Sequence, residues 1–215
     1  MPADRPKSEE ELQKREATGV IRASRFVRKY AQSHNTINVE TICAIHREIF
    51  REAWPEIAGV YREEELSITD SDLLLPHPTE VPNHMKELDA LLKKALVDLE
   101  GCEGHILNFH IEVTDEGLLC VERLIKTTAW ILHAITAIHS FREGNGRTAR
   151  LVGNLILERY GLVGISVKIE KENKNAYRSA LAQIDKYQDY EPLEAIISEG
   201  IIDRYHGVAV KYYNV

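Results

Sequence analysis

The chain lacks most of the features that would mark it for export, for a membrane or for nucleic acid. Cysteine is scarce: Cys43, Cys102 and Cys120 are the three in 215 residues, and no two share the spacing of a metal site. They read as buried free thiols in a reducing compartment. The first residues, Met1 to Arg5, have no apolar stretch of the kind a secretory signal carries. The longest apolar run, Leu118 to Ile138, is interrupted by Glu122, Arg123, Lys126 and His133. That excludes an ordinary membrane span and suits a central buried helix. There is no excess of positive charge either. Lys and Arg number 27 against 34 Asp and Glu, a formal net charge of -7, so the basic face a general DNA or RNA binder needs is missing. No Gly-Lys pair is followed by Ser or Thr, which removes the G-x-x-x-x-G-K-[ST] phosphate loop. The expectation is a cytoplasmic protein that engages neither nucleic acid nor membrane.

What is present is a globular composition, with 44% hydrophobic residues. The length suits one domain, residues 1–215. Ser8 followed by three glutamates predicts a helix to about Gln32, with Gly19 as a weak point. Asn38 can cap a second helix, Val39 to about Arg51, with Ile42, Ile45, Ile49 and Phe50 near helical spacing. Trp54-Pro55 ends it. From Gly59 to Thr79 the pattern turns irregular, as in a hairpin or flap. A helix follows over Val81 to Leu99, broken at Gly101 to Gly104. Residues His105 to Val113 fit a short helix or a strand equally. The long helix, Leu118 to Ile138, comes after Glu116-Gly117. Further helices are expected at Asn145 to Arg159, from Asn173 or Asn175 to Ile184, and from Pro192 to Tyr205, with a short extended piece at Ile165 to Ile169. The total is all-α with one small β element, an N-terminal helical extension at about 8–32 and a core at about 39–197.

The chemistry concentrates in His139-Ser140-Phe141-Arg142-Glu143-Gly144-Asn145-Gly146-Arg147-Thr148-Ala149-Arg150. Gly144-Asn145-Gly146 can turn tightly at a helix start, where backbone amides bind anions. Arg147 and Arg150 are three apart, on one helical face, and guanidinium forks suit phosphate oxygens. A carboxylate such as Glu143 beside phosphates is an ordinary Mg²⁺ ligand. His139 offers a neutral imidazole that can take a proton from an attacking hydroxyl. Phe141 reads as the core anchor of the loop. Gly144-x-Gly146-x-x-Ala149 matches the looser dinucleotide fingerprint. A run of some twenty residues at helical period precedes it, however, where that fingerprint needs a short strand. His105 and His110 are five apart, off one helical face, and read as structural or surface residues.

These twelve residues meet every fixed position of H-x-F-x-[D/E]-G-N-G-R-x-x-R, and on them the chain resembles the Fic family. Trp54 to Arg62 is similar to the W-A-G-x-[Y/F]-R stretch before that family's flap, and Tyr177 to Leu181 to its later Y-x-x-x-L helix. The resemblance implies an all-α helical-bundle core with a small β-hairpin flap. It implies a protein adenylyltransferase, which transfers AMP from ATP to a Ser, Thr or Tyr hydroxyl of a target protein and releases pyrophosphate. By that likeness His139 is the general base and Glu143 holds Mg²⁺. Gly144, Asn145 and Gly146 form the anion hole, with the Asn145 side chain near the α-phosphate. Arg147 and Arg150 hold the outer phosphates, and Tyr177 joins the nucleotide-binding set. The target would lie along the flap, within residues 63–78. Gly146, where Doc-like kinases have Lys, favours nucleotidyl over phosphoryl transfer. Ser140 departs from the family's usual Pro. The family's inhibitory helix, [S/T]-x-x-x-E-[G/N], has no full match; Glu199-Gly200 supplies its end, with Ala195 where Ser or Thr belongs. Inhibition by a separate small antitoxin is therefore expected, and a homodimer is a further expected partnership. The alternative is a nucleotide-binding interaction protein of the same fold with little turnover, or an enzyme that uses another nucleotide or removes AMP.

Overall fold

The computed structural model of the chain describes residues 6–33, 35–68, 73–109, 112–165 and 171–212; the side chains of 108–109, 171–174 and 206–212 stand outside that description. Eight α-helices are seen among the described residues: α1 (Glu9–Gln32), α2 (Val39–Phe50), α3 (Val81–Val97), α4 (Cys102–Phe109), α5 (Asp115–Ile138), α6 (Asn145–Arg159), α7 (Lys171–Tyr187) and α8 (Glu191–Tyr212). Single 3-10 turns stand at Pro55–Ile57 and Pro78–Glu80. The arrangement is an all-α bundle centred on α5 and α6, with α1 laid across α2 and α6, α4 against α5, and α8 against α5 and α7. Its core runs as one cluster through Phe50, Met85, Leu124, Ile131, Phe141 and Ile156.

Helix starts follow their caps. Ser8 accepts the Glu11 amide at 3.1 Å, and Glu9, Glu10 and Glu11 occupy the first turn of α1. Asn38 and Thr41 close a reciprocal capping box on α2. The long helix starts earlier than its apolar pattern, at Asp115, because the Thr114 hydroxyl accepts the Gly117 amide at 3.1 Å. Gly117 is therefore inside the first turn, where a polar cap outranks hydrophobic period.

Gly19 is a packing point and not a weakness. The buried residues of α1 are Gly19, Ala23, Val27 and Ala31, a small-residue stripe at every fourth position. A Cβ at Gly19 would stand 1.9 Å from the Ile49 carbonyl oxygen, so only glycine allows α1 this close to α2. Arg22 then reaches across to the Glu48 carbonyl at 2.8 Å and pairs with Glu52 at 2.5 Å.

Other expectations are corrected. The chain breaks at Gly101 (φ 85°) alone, while Gly104 lies within α4. Residues 105–109 are thus helical, not extended. His105 is exposed, and His110 lies outside the described residues. The last two helices extend past their expected ends, to Tyr187 and Tyr212. Of the extended piece expected at Ile165 to Ile169, only Ile165 is described, and it is non-helical. No strand forms among the described residues of 59–79, so the expected hairpin is a pair of unladdered arms. Pro76 and Pro78 have no N–H to give a ladder. All three cysteines are free. No described helix is long and apolar enough to cross a membrane.

Gly19→Ala should cost about 2–4 kcal/mol of unfolding free energy, read from urea denaturation. An unchanged midpoint would contradict the contact between α1 and the Ile49 carbonyl.

Candidate active site

The motif forms the connection from α5 into α6. His139 ends α5 in the left-handed conformation (φ 50°, ψ 51°), which turns the chain sharply off the helix axis. Its Nδ1 lies 3.2 Å from the Thr136 carbonyl oxygen. A carbonyl only accepts, so Nδ1 carries the proton and Nε2 keeps its lone pair. Burial lowers the His139 pKa from its ordinary value, against the raising effect of that hydrogen bond. The residue is therefore a neutral base at pH 7, with its free nitrogen opposite the anchored one.

Phe141 is fully buried and its backbone is clasped by Asn145. The Asn145 Oδ1 accepts the Phe141 amide at 2.9 Å, and Nδ2 donates to the Phe141 carbonyl at 2.7 Å. The Asn145 side chain is thus occupied inside the loop, with both polar ends used. What it does here is fix the loop's shape. Gly144 begins α6 with φ 77°, and a Cβ there would meet Phe50 Cε2 at 2.4 Å. That combination of positive φ and aromatic contact admits only glycine.

Glu143 is half exposed. Its Oε1 accepts the Gly144 amide at 2.9 Å and faces Arg147 Nη2 at 3.2 Å. Arg147 also donates to Glu16 Oε2 of α1 at 2.5 Å and lies over the Phe50 ring, 5.0 Å from its centroid. Arg150 stands 5.9 Å from the Tyr177 ring centroid, and burial lowers its pKa. Tyr177 itself is buried, its hydroxyl without a partner among the described residues. It supports Arg150 from below. A cavity of about 260 Å³ opens between α1 and α6, with both motif arginines on its wall. A Cβ on Gly146 would lie 3.4 Å from Arg150 Nη1. Ser140 is fully buried, its hydroxyl likewise unpartnered. Glu199 is exposed and forms no ion pair with Arg150 among the described residues.

Three residues hold this loop in place: Arg62, which the sequence marks only as the end of the Trp54 to Arg62 stretch, and His46 and Glu16, which sequence reasoning passed over. Arg62 is buried and ties the flap to it, its backbone amide on the Ser140 carbonyl at 2.9 Å and its Nε on the His139 carbonyl at 2.7 Å. His46, on α2, stacks on Phe141 with ring centroids 3.9 Å apart and an interplanar angle of 9°. Its Nε2 lies 2.9 Å from the Glu143 carbonyl oxygen, and its Nδ1 accepts the Gly59 amide at 2.9 Å. Glu16 is the third. Their signals were present: His46 falls on the stripe of Ile42, Ile49 and Phe50, and Glu16 lies three residues before Gly19 on the packed face of α1. A polar residue on an apolar stripe is the informative kind.

With the site laid out, comparison with known proteins places the chain. The sequence profile of the Fic/DOC family matches residues 36–157, more than half of the length, and the chain belongs to that family. It is 28% identical over 199 residues to the protein adenylyltransferase Fic of Nematostella vectensis, covering 90% of this chain and 40% of that protein. It is 26% identical over 194 residues to the protein adenylyltransferase fic-1 of Caenorhabditis elegans, covering 89% and 34%. The chain thus spans well under half the length of these relatives. Among solved structures, Fic-1 from C. elegans superposes with a TM-score of 0.69 at 23% identity, covering 96% of this chain and 54% of that one. The BepC protein of Bartonella tribocorum, solved with bound AMPPNP, superposes at 0.61 with 15% identity, covering 91% and 88%. These structures share the fold.

The site also sets a pH dependence. Burial pushes the His46 pKa from 6.5 down to about 4. The folded protein keeps this imidazole neutral while the unfolded chain protonates it, so stability is lost as pH falls from about 6.5 to 4. His139 shifts in the same direction. The His46 contribution is on the order of 3 kcal/mol. Urea denaturation at a series of pH values should show that decline, and His46→Gln should flatten it.

Proposed function

We propose that the protein transfers AMP from Mg²⁺-bound ATP to a Ser, Thr or Tyr hydroxyl of a target protein. The observation that carries this reading is the convergence, on one buried loop, of a histidine with a free Nε2, an amide-lined turn and two arginines beside a cavity. The names of the relatives support it: both are protein adenylyltransferases. The BepC structure with AMPPNP supports ATP as the nucleotide.

The residues would act as follows. His139 Nε2 removes the proton from the target hydroxyl. The hydroxyl oxygen then bonds to the α-phosphorus, the bond from that phosphorus to the bridging oxygen breaks, and pyrophosphate leaves. The start of α6 would face the phosphate charge with the amides of Asn145 and Gly146, and with that of Gly144 once Glu143 releases it. Arg147 and Arg150 hold the outer phosphates. No three His, Cys, Asp or Glu side chains gather at a metal site among the described residues. A single half-exposed carboxylate, Glu143, fits an ion that takes its other ligands from phosphate and water. Mg²⁺ when bound supplies charge neutralisation at the phosphates. The target would lie along the arms of residues 63–68 and 73–78 as an added strand.

One observation favours restraint from within the chain over a separate antitoxin. Glu16 occupies Arg147, which would otherwise face phosphate, and Glu143 is drawn into the same pair. Glu16→Ala should therefore raise Mg–ATP affinity by about three- to tenfold, read by calorimetric titration. Unchanged affinity would return the antitoxin to first place.

The reaction itself is tested by incubating the protein with cell lysate, Mg²⁺ and ATP labelled at either the α- or γ-phosphate. Protein label should come from the α position only, and His139→Ala should reduce it by about 10²–10⁴. Label from the γ position alone would mean a kinase; ATP binding without any transfer would mean a nucleotide-binding protein. Because burial lowers the His139 pKa, the rate should fall with acid only at a lower pH than a free imidazole would set, as the base becomes protonated.

A further inference from the structure

His46 has no part in the proton transfer or phosphate binding described above, yet both of its ring nitrogens are committed. Its Nε2 faces the Glu143 carbonyl, which only accepts, and its Nδ1 receives the Gly59 amide, which only donates. The two bonds therefore fix one tautomer, neutral with the proton on Nε2. Gly59 is the root of the flap. Glu143 lies 97 residues away in sequence and carries the carboxylate assigned to the metal. The ring itself cannot tilt, since it is stacked on Phe141 at 3.9 Å and stands 4.7 Å from Phe50. Phe141 is in turn clasped by Asn145, and Phe50 touches the arc of Gly144.

A ring kept only to fill space would need neither hydrogen bond, and burying an imidazole costs more than burying a phenyl ring. We infer that His46 is a positioning residue, a rigid two-ended brace that sets the flap root and the Glu143 carbonyl at a fixed separation. Through it, the surface that receives a protein target and the loop that seats the metal and nucleotide are mechanically joined. The assignment of the Glu143 end to metal rests on the adenylyl-transfer reading; the brace itself does not.

Two amide substitutions separate its ends. In His46→Asn the side-chain oxygen takes the place of Nδ1 and keeps the Gly59 amide, while the reach to Glu143 is lost. In His46→Gln the side-chain nitrogen takes the place of Nε2 and keeps the Glu143 carbonyl, while the Gly59 amide is released. Backbone amide exchange is measured over residues 57–62 and 141–146, together with the affinity for Mg–AMPPNP. His46→Asn should speed exchange in 141–146 and weaken Mg–AMPPNP about five- to tenfold, the effect of one buried hydrogen bond, with 57–62 near wild type. His46→Gln should do the reverse, freeing 57–62 and leaving nucleotide affinity near wild type. If the variants alter both segments in parallel, or neither, the brace is wrong. Should either fail to fold, the wild type still decides: ¹H–¹⁵N correlation of the His46 ring at pH 7 must show protonated Nε2 and bare Nδ1, and the opposite tautomer overturns the inference. A wild type that fails to bind Mg–AMPPNP would remove the adenylyl-transfer reading, and the two exchange arms would still test His46.

Discussion

Every nitrogen of Arg62 donates to a carbonyl oxygen. The backbone amide meets Ser140 at 2.9 Å, Nε meets His139 at 2.7 Å, Nη1 meets Glu64 at 3.0 Å and Nη2 meets Pro76 at 2.6 Å. A guanidinium with this little solvent is stable only if its donors are satisfied, and here three carbonyl dipoles stand in for water, with the fourth carbonyl on the backbone amide. Two of those carbonyls belong to the left-handed turn at the end of α5, and two to the arms of the flap. Without a strand ladder among the described residues, the arms depend on this side chain for their path. The position of His139 depends on it as well, because the carbonyl that Arg62 Nε holds is that residue's own. Arg142 adds an outer tie, with Nε 2.7 Å from Glu64 and the guanidinium 4.9 Å from the Trp54 ring centroid.

Two histidines of the site are held neutral for opposite uses. His139 has one nitrogen anchored and one free, the arrangement of a base. His46 has both anchored, the arrangement of a structural member. The same physical cause, burial, lowers both pKa values. Burial alone therefore does not tell the two histidines apart; the count of uncommitted nitrogens does.

The sequence revealed the helices wherever a cap and an apolar period agreed, as at Ser8 and Asn38. It made the candidate site of residues 139–150 legible because its side chains are neighbours in the chain. What it hid are relations between distant segments. Gly19 looked like a flaw because its value lies in the carbonyl of Ile49, and helix propensity contains no such partner. Thr114 was overlooked because a cap acts through one hydrogen bond while the pattern was read from side-chain polarity. The clasp of Asn145 on the backbone of Phe141 is likewise a three-dimensional relation that residue type does not announce. Glu16, His46 and Arg62 each join elements that are remote in sequence, and only packing shows where their partners lie.

The small-residue stripe on α1 also sets an angle. A helix advances about 1.5 Å and turns about 100° per residue. The contact of Gly19 with α2 therefore fixes the direction in which every other side chain of α1 points. Glu16, three residues earlier, is carried nearly a full turn back and about 4.5 Å along the axis, onto the start of α6. Adding or removing one residue between positions 16 and 19 would swing that carboxylate by about 100°, away from Arg147. The closeness of two helices at a glycine thus acts as an indexing stop, and what it indexes is the charge that meets the first arginine of the site.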